Sequence, residues 1–312
     1  MKTFSRCMLI CALACFAMTA LSAQAYVLPA EQVLEFMDKA LGPAKGLTVT
    51  EQVTMYPSRV MGKPGDAESP ESGPVQENQE QEITPAPVVL EGTISYKFPE
   101  SFREEIRNTE GASIVVISPA GVAKVADSYL IAESEDQFDL FKEPLLYRNP
   151  QLLMARLRLA GVRTEICSLG YWQGKVAYVV GAQYPDESVP QLWIEKNTFL
   201  PIRFIVTRWV PGRSRDSLEV RYEDWQGLLV QEGKKIQHRY PGRIAFVQQG
   251  EVLSQRTLVN YAMNPAYPSD TFDVERVKKA YEWAPYLREE TPLSREMEGV
   301  QDAMEDFRKA TQ

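Results

Sequence analysis

The 312-residue sequence predicts an α+β fold that is mainly β, in which one large antiparallel sheet is covered by few helices. Apolar and polar residues alternate along many short segments, which is the pattern of strands with one buried and one solvated face. Helical periodicity is confined to the start, the middle and the end of the chain. Such a sheet, with helices against its apolar side, encloses either a packed core or a cavity.

Residues 1–25 have the features of a secretory signal peptide. A positively charged start is followed by the apolar run Cys7–Leu21, and Ala23-Gln24-Ala25 supplies a cleavage site before Tyr26. The alternatives are an uncleaved anchor and a lipoprotein signal at Cys15. We expect cleavage and export to the periplasm. No later stretch is long and apolar enough to span a bilayer, so no transmembrane segment is expected in the mature chain.

Cleavage also removes three of the four cysteines and leaves Cys167 alone, so no intrachain disulfide is expected. An exported chain with so few cysteines is typical of the bacterial periplasm. The formal net charge of −8 becomes two units more negative, which argues against nucleic acid as a partner. One histidine, His238, leaves little room for a metal site, and neither a metal nor a cofactor is expected.

The mature chain is predicted to open with a helix that begins near Pro29 and is stopped by Gly42-Pro43. Its apolar face comprises Val33, Leu34, Met37 and Leu41. A short strand is expected over Leu47–Tyr56.

Residues 57–87 contain six prolines among Gln, Glu, Ser and Gly, with almost no large apolar side chains. This composition predicts a disordered acidic, Pro-rich insertion. It is either a tolerated surface insertion or a tether that binds a partner.

The clearest alternation follows over Val88–Phe98, and a first group of strands continues to residue 132. Asn149-Pro150 then predicts a second helix, with Asn as the cap and Gly161 at its end. A second group of strands runs to Tyr261, with turn signals between them. The expected strands are Ser113–Ile117, Val122–Ala126, Tyr129–Ala132, Thr164–Leu169, Val176–Gln183, Gln191–Lys196, Ile202–Trp209, Leu218–Tyr222, Ile244–Gln248 and Ser254–Tyr261. The turn signals are Gln173-Gly174, Asn197, Pro211-Gly212, Pro241-Gly242 and Gln249-Gly250.

The end of the chain is again predicted to be helical, around Asp273–Trp283 and Ser294–Ala310. In the last segment, apolar residues recur at alternating spacings of four and three. We treat 276–312 as a C-terminal helical extension that docks on the body of the protein or on an envelope partner.

The sequence lacks the usual catalytic signatures, including the Gly-x-Ser-x-Gly elbow, the His-Glu-x-x-His motif and the Walker loop. Cys167 and His238 form the one possible thiol–imidazole pair, and a lone Cys is more often a small core residue. The carboxylates around Glu133–Asp139 fit a solvated acidic turn better than a glycosidase pair. We therefore expect no catalytic residue, with a hydrolase as the minor alternative.

Three phrases together resemble one family. Phe98–Arg103 resembles the Pro-x-x-Phe-Arg phrase of periplasmic lipoprotein carriers of the LolA/LolB type, and Leu192–Arg203 resembles their Trp-x-Asp-x-x-Thr-Gly-Leu-Pro hairpin. The succession Tyr240-Pro241, Asn260 and Phe272-Asp273 is similar to the broader outer-membrane lipoprotein-sorting superfamily. The resemblance spans about residues 29–275.

This resemblance implies an unclosed antiparallel half-barrel over 26–275, with helices that cover an apolar concave face. It implies a carrier or binder of lipid or of acylated lipoprotein; the alternative is an envelope sensor or protein-interaction module that uses 57–87 or the C-terminal helix. The arginine that gates the cavity in this family corresponds here to Phe98. The alternation leaves open which strand face lines the cavity. The candidate lining residues are Leu90, Ile94, Tyr96, Phe98, Phe102, Arg103, Trp193 and Phe204.

Overall fold

The computed structural model describes residues 27–57, 86–107, 112–208, 216–229 and 236–285. The predicted signal peptide, nearly all of the 57–87 insertion and the helix expected over Ser294–Ala310 lie outside these ranges.

Within the described chain, the helices are α1 (Ala30–Leu41), α2 (Glu143–Leu146), α3 (Pro150–Leu159) and α4 (Val274–Ala280), and a 3-10 turn over Asp139–Lys142 precedes α2. The strands are β1 (Gly46–Met55), β2 (Val88–Lys97), β3 (Ser101–Arg107), β4 (Ala112–Ser118), β5 (Gly121–Ala126), β6 (Tyr129–Ala132), β7 (Cys167–Trp172), β8 (Lys175–Val180), β9 (Gln191–Glu195), β10 (Pro201–Arg208), β11 (Asp216–Leu229), β12 (Ile236–Gln248), β13 (Glu251–Met263) and β14 (Glu282–Trp283).

These strands form one sheet in the order β14-β6-β5-β4-β3-β2-β1-β13-β12-β11-β10-β9-β8-β7. Neighbouring strands are antiparallel, except that β14 pairs in parallel with β6. In the described chain β14 and β7 form the two edges, so the sheet is an unclosed half-barrel and the expected fold class is confirmed. β1 joins the two halves of the sheet because it pairs with β2 on one side and with β13 on the other.

The two long helices begin and end where the sequence signals them. The Asn149 side chain accepts a hydrogen bond from the Leu152 amide at 2.9 Å and caps α3. Gly42, with φ of 87°, ends α1 in a backbone conformation that glycine adopts without strain.

The structure differs from the expectation at several elements. β3 was not expected, because Glu104 interrupts its apolar face, and the helical segment over 139–146 is too short to show a period. β7 begins three residues later than expected because Ile166 and Arg163 close a turn. The helix expected over Asp273–Trp283 ends at Ala280.

Pro241-Gly242 is not a turn, contrary to the sequence signal, but lies inside β12. In the partner strand β11, Asp224 adopts a left-handed backbone conformation with a φ of 54°, and β12 pairs with β11 in the same register on both sides of that residue. A Cβ at Gly242 would lie 2.6 Å from the Asp224 carbonyl oxygen, so the close approach requires glycine.

The sheet has two differently covered faces. We call the face that packs against α1, α2 and α3 the inner face, and the opposite face the outer face. The largest apolar cluster of the described residues, the inner cluster, lies between the inner face and these helices. Two smaller clusters lie on the outer face, one beneath α4 and one around Trp193.

Candidate functional site

The inner cluster brings together four of the eight predicted lining residues, Ile94, Tyr96, Phe102 and Phe204, each at most 1% exposed. Phe98 is half-buried and packs against the same cluster. Leu90 lies four residues before Ile94 in β2, on the same face of the strand, and is half-buried.

Arg103 and Trp193 lie on the outer face, apart from these residues. Successive side chains of a strand point to opposite faces, so Arg103 lies opposite Phe102, and Trp193 lies opposite its neighbours Leu192 and Ile194. Trp193 packs instead over Gly170, where an added Cβ would lie 2.7 Å from the indole ring. Its Nε1–H donates to the Gln191 side chain at 3.0 Å.

Aromatic side chains fill the space between the sheet and the helices. The Phe102 ring makes edge contacts with Tyr96, at 5.4 Å between ring centroids, and with Phe141 before α2, at 6.1 Å. The Phe141 ring in turn contacts Phe246 of β12 at 5.6 Å. Through these rings, the helical segments therefore pack directly against the sheet in this structure.

A buried polar network interrupts the apolar inner face, and the sequence analysis missed it. Tyr240 donates to Glu51 at 2.9 Å and lies 3.1 Å from the Tyr96 hydroxyl. Arg256 pairs with Glu51 at 3.4 Å and also with Glu104. The burial of Glu51 could have been predicted from the sequence. It lies on the same face of β1 as the apolar residues Leu47, Val49 and Val53.

The charges of this network are only partly compensated. Burial raises the pKa of Glu51, and the nearby Arg256 offsets part of that effect. The Arg256 guanidinium lies 4.6 Å from the Phe141 ring centroid and 5.6 Å from that of Phe246. Its Nε is buried and has no hydrogen-bond partner among the described residues. The inner face thus holds an N–H donor without a hydrogen-bond partner, on a side chain that lies against two aromatic rings.

Arg148, in the link between α2 and α3, ties that link to the end of α1. Its Nε donates to the Asp38 carboxylate at 2.8 Å, and its Nη2 donates to the carbonyl oxygens of Asp38 and Gly42 at 2.9 and 2.8 Å. The guanidinium lies 5.3 Å from the Phe98 ring centroid. A guanidinium therefore lies against the Phe98 ring, but it comes from the non-helical link between α2 and α3.

A second ionic cluster fastens α2 and α3 to the loop after β6. Lys142 and Glu143 are fully buried, and they pair with each other at 2.9 Å. Lys142 also pairs with Glu135, and Arg156 of α3 pairs with both carboxylates. Burial alone would lower the pKa of Lys142, but the Glu143 and Glu135 carboxylates raise it. These acidic residues therefore serve as ion-pair partners within the fold.

The possible thiol–imidazole pair has unsuitable properties for catalysis. Burial raises the pKa of Cys167 to about 11, so the group is a thiol at neutral pH, whereas a nucleophile needs the thiolate. His238 is buried on β12 between Arg148 and the Gly42 carbonyl. Burial and the Arg148 charge lower the pKa of His238 to about 3. Its hydrogen-bonding partners hold it in a structural position.

None of the described helices combines the length and the hydropathy that crossing a bilayer requires.

Three solved structures resemble this fold at low sequence identity. A LolA superfamily protein from Nitrosomonas europaea aligns with a TM-score of 0.47 at 14% identity, over 80% of this chain and 99% of its own. A domain described as outer membrane lipoprotein-sorting, from Vibrio parahaemolyticus, gives 0.44 at 9%, over 80% and 99%. A DUF1329 family protein from Desulfovibrio piger gives 0.43 at 11%, over 80% and 98%.

The first two descriptions name the superfamily that the sequence motifs resemble. No family model matches the chain. No curated protein matches it either.

Proposed function

We propose that the protein is a periplasmic, non-catalytic carrier or binder of lipid acyl chains, free or attached to a lipoprotein. The chains would lie between the inner face of the sheet and helices α1–α3. The observation that carries the proposal is the inner cluster, the largest apolar cluster of the described residues, which lies between the sheet and separately attached helices.

The energetics favour this face over any other described surface. Each buried methylene contributes about 0.8 kcal/mol, so a sixteen-carbon chain needs on the order of 12 kcal/mol of shelter from water. Only an extensive apolar lining supplies that shelter from water. The two outer clusters are much smaller and lie beneath α4 and the 181–190 loop.

The closed structure indicates what must move for a chain to enter. Acyl methylenes would replace the contacts that Phe102 and Phe141 now make with their aromatic neighbours. This requires α1 to separate from the α2–α3 segment, and Arg148 makes three of the hydrogen bonds that join the two. The unpartnered Nε of Arg256 would then donate to a carbonyl oxygen of the ligand.

The test is extraction of the mature protein, purified without detergent, followed by mass spectrometry and by titration with a fluorescent fatty acid. We expect co-purified acyl chains and saturable binding of the probe. Phe98→Asp should weaken probe binding at least about tenfold, since it places a charge beside the inner cluster.

Tyr171→Asp is the matched control, because Tyr171 is an aromatic residue that is 61% exposed on edge strand β7. Its binding should equal that of the unaltered protein. The proposal is wrong if the purified protein carries no acyl chain and binds no probe, or if both variants bind equally well.

A further inference from the structure

A polar groove with a volume of about 770 Å³ lies on the outer face of β1, β2 and β3, beneath the segment 265–281 that crosses these strands. None of the residues that line it belongs to the inner cluster. The acyl-chain proposal makes no use of this groove.

The floor of the polar groove is a regular array of hydroxyl groups and charges. In the register of the sheet, Thr48 lies opposite Ser95 and Thr50 lies opposite Thr93. Glu105 of β3 lies next to Thr93 in turn. Adjacent strands are about 4.8 Å apart, so each row places two hydroxyls and a charged group within reach of one small ligand.

Several of these groups are free to bind a ligand. In the described ranges, the hydroxyls of Thr50 and Thr93 hydrogen-bond to no side chain, and the Glu91 carboxylate pairs with no cation. They contrast with Thr48, whose hydroxyl lies 3.0 Å from that of Tyr267. The two unused hydroxyls lie opposite each other in the middle of the floor, and Glu91 lies in the next row.

The roof of the groove is held in place by its own contacts with the sheet. The Tyr267 hydroxyl donates to the Tyr96 carbonyl at 3.1 Å, and its ring makes an edge contact with Phe272 at 5.0 Å. Arg103 donates to the Thr271 carbonyl at 3.3 Å and so joins floor to roof. The groove is therefore preformed, and its volume lies within the range of about 300–1,000 Å³ that is typical of small-molecule sites.

The charges in the groove balance. Three arginines and three carboxylates line it, and most are paired already, for example Arg103 with Glu105 at 2.6 Å and Arg276 with Asp270 at 2.5 Å. An anionic ligand would meet the carboxylates, and a cationic ligand would meet the guanidinium groups. A neutral ligand that both donates and accepts hydrogen bonds meets neither penalty.

We propose that the polar groove binds a short neutral oligosaccharide. Each sugar hydroxyl both donates and accepts, which matches a lining of threonine hydroxyls, arginines and carboxylates. Tyr267 and Tyr281 add apolar ring surface for the C–H faces of the sugar rings. The chain would then hold an acyl ligand on one face of its sheet and a saccharide on the other.

The test uses the mature protein with maltotriose, cellotriose and N,N′,N″-triacetylchitotriose as probes, measured by saturation-transfer NMR and by calorimetric titration. We expect at least one probe to bind with a micromolar to millimolar Kd. Thr50→Val and Thr93→Val should each weaken that Kd about fivefold, the effect of one lost hydrogen bond. Thr54→Val is the matched control, because Thr54 shares the strand face of Thr50 but lies outside the groove.

Absence of saturation transfer from all three probes at millimolar concentration would overturn the proposal, as would equal weakening by Thr54→Val. Tighter binding of glucuronic acid or glucosamine than of the neutral probes would also overturn it, because the charge balance would then not select the ligand. Thermal unfolding of each variant shows that it is folded. The fluorescent fatty-acid titration on the same variants tests the inner face separately.

Discussion

At the scale of single residues, Arg256 is the cation around which the polar network of the inner face is arranged. Its guanidinium is bonded to two carboxylates and lies against two aromatic rings. A buried ion pair of this kind adds little net stability as a whole, but it is costly to break. If Arg256 is lost, the Glu51 and Glu104 carboxylates remain as buried charges without a counter-ion.

Arg256→Met should therefore lower the free energy of unfolding by about 3–5 kcal/mol, as measured by urea denaturation. The double variant Arg256→Met/Glu104→Leu should recover part of that loss, because it removes one of the two stranded carboxylates. Glu51 retains its bond from Tyr240 in both variants. A double variant that is less stable than the single one would contradict this account of the network.

His238 predicts how stability depends on pH. Its pKa is about 3 in the folded protein, against an ordinary value of about 6.5, so the unfolded chain binds its proton first as the pH falls. The stabilisation from neutral His238 is complete above about pH 6.5 and is lost between there and about pH 3. The expected slope is about 1.4 kcal/mol per pH unit.

The measurement compares the unaltered protein with His238→Gln, which cannot titrate, by urea denaturation at several pH values from 7 to about 4. The difference in the free energy of unfolding between the two proteins should shrink by about 1.4 kcal/mol for each pH unit as the pH falls. Parallel pH profiles would show that the folded-state pKa of His238 is not depressed.

At the scale of elements, α1 and the α2–α3 segment are two separate covers over the inner face. Each packs against the sheet through its apolar face, and α3 is fixed further by the Lys142–Glu143 cluster. Arg148 is a direct polar tie between the two covers, and three of its hydrogen bonds end at the last turn of α1. Loss of that tie should loosen α1 more than the rest of the fold.

Arg148→Ala should speed amide hydrogen exchange in α1 and lower the free energy of unfolding by about 1–3 kcal/mol, because the Asp38 carboxylate and the Asp38 and Gly42 carbonyls each lose the hydrogen bond from Arg148. It should also speed uptake of the fluorescent fatty acid. Lys39→Ala removes an exposed ion pair with Glu35 on the same helix and is the control for charge loss. Equal exchange rates in α1 for the two variants would contradict the role of Arg148.

At the scale of the whole molecule, the sheet separates two surfaces of opposite character. The inner face is apolar with one buried polar network, and the outer face over β1–β3 is a polar groove. Alternation along β1 and β2 produces both surfaces from the same strands. Ile94 and Tyr96 of β2 point inward, while Thr93 and Ser95 point outward. The strand period alone thus gives the sheet two faces, one for each proposed site, and different variants test them.

The sequence by itself determined the mainly β fold, the two capped helices and most of the strands, because periodicity and capping depend on neighbours in the chain. It did not find β3, whose apolar face is broken by Glu104, and it misread Pro241-Gly242, which lies inside β12 and pairs with β11 instead of turning the chain. It placed Ile94, Tyr96, Phe98, Phe102 and Phe204 among the candidates for the inner face.

Only the tertiary structure decided which strand face meets the helices, and with it the outward placement of Arg103 and Trp193. It also brought together Glu51, Glu104 and Arg256, and it placed Arg148 over Phe98. These pairs lie about 50 to 200 residues apart in the chain. Local sequence carries no record of such contacts, since they arise from the order in which strands pair and helices dock rather than from the spacing of residues.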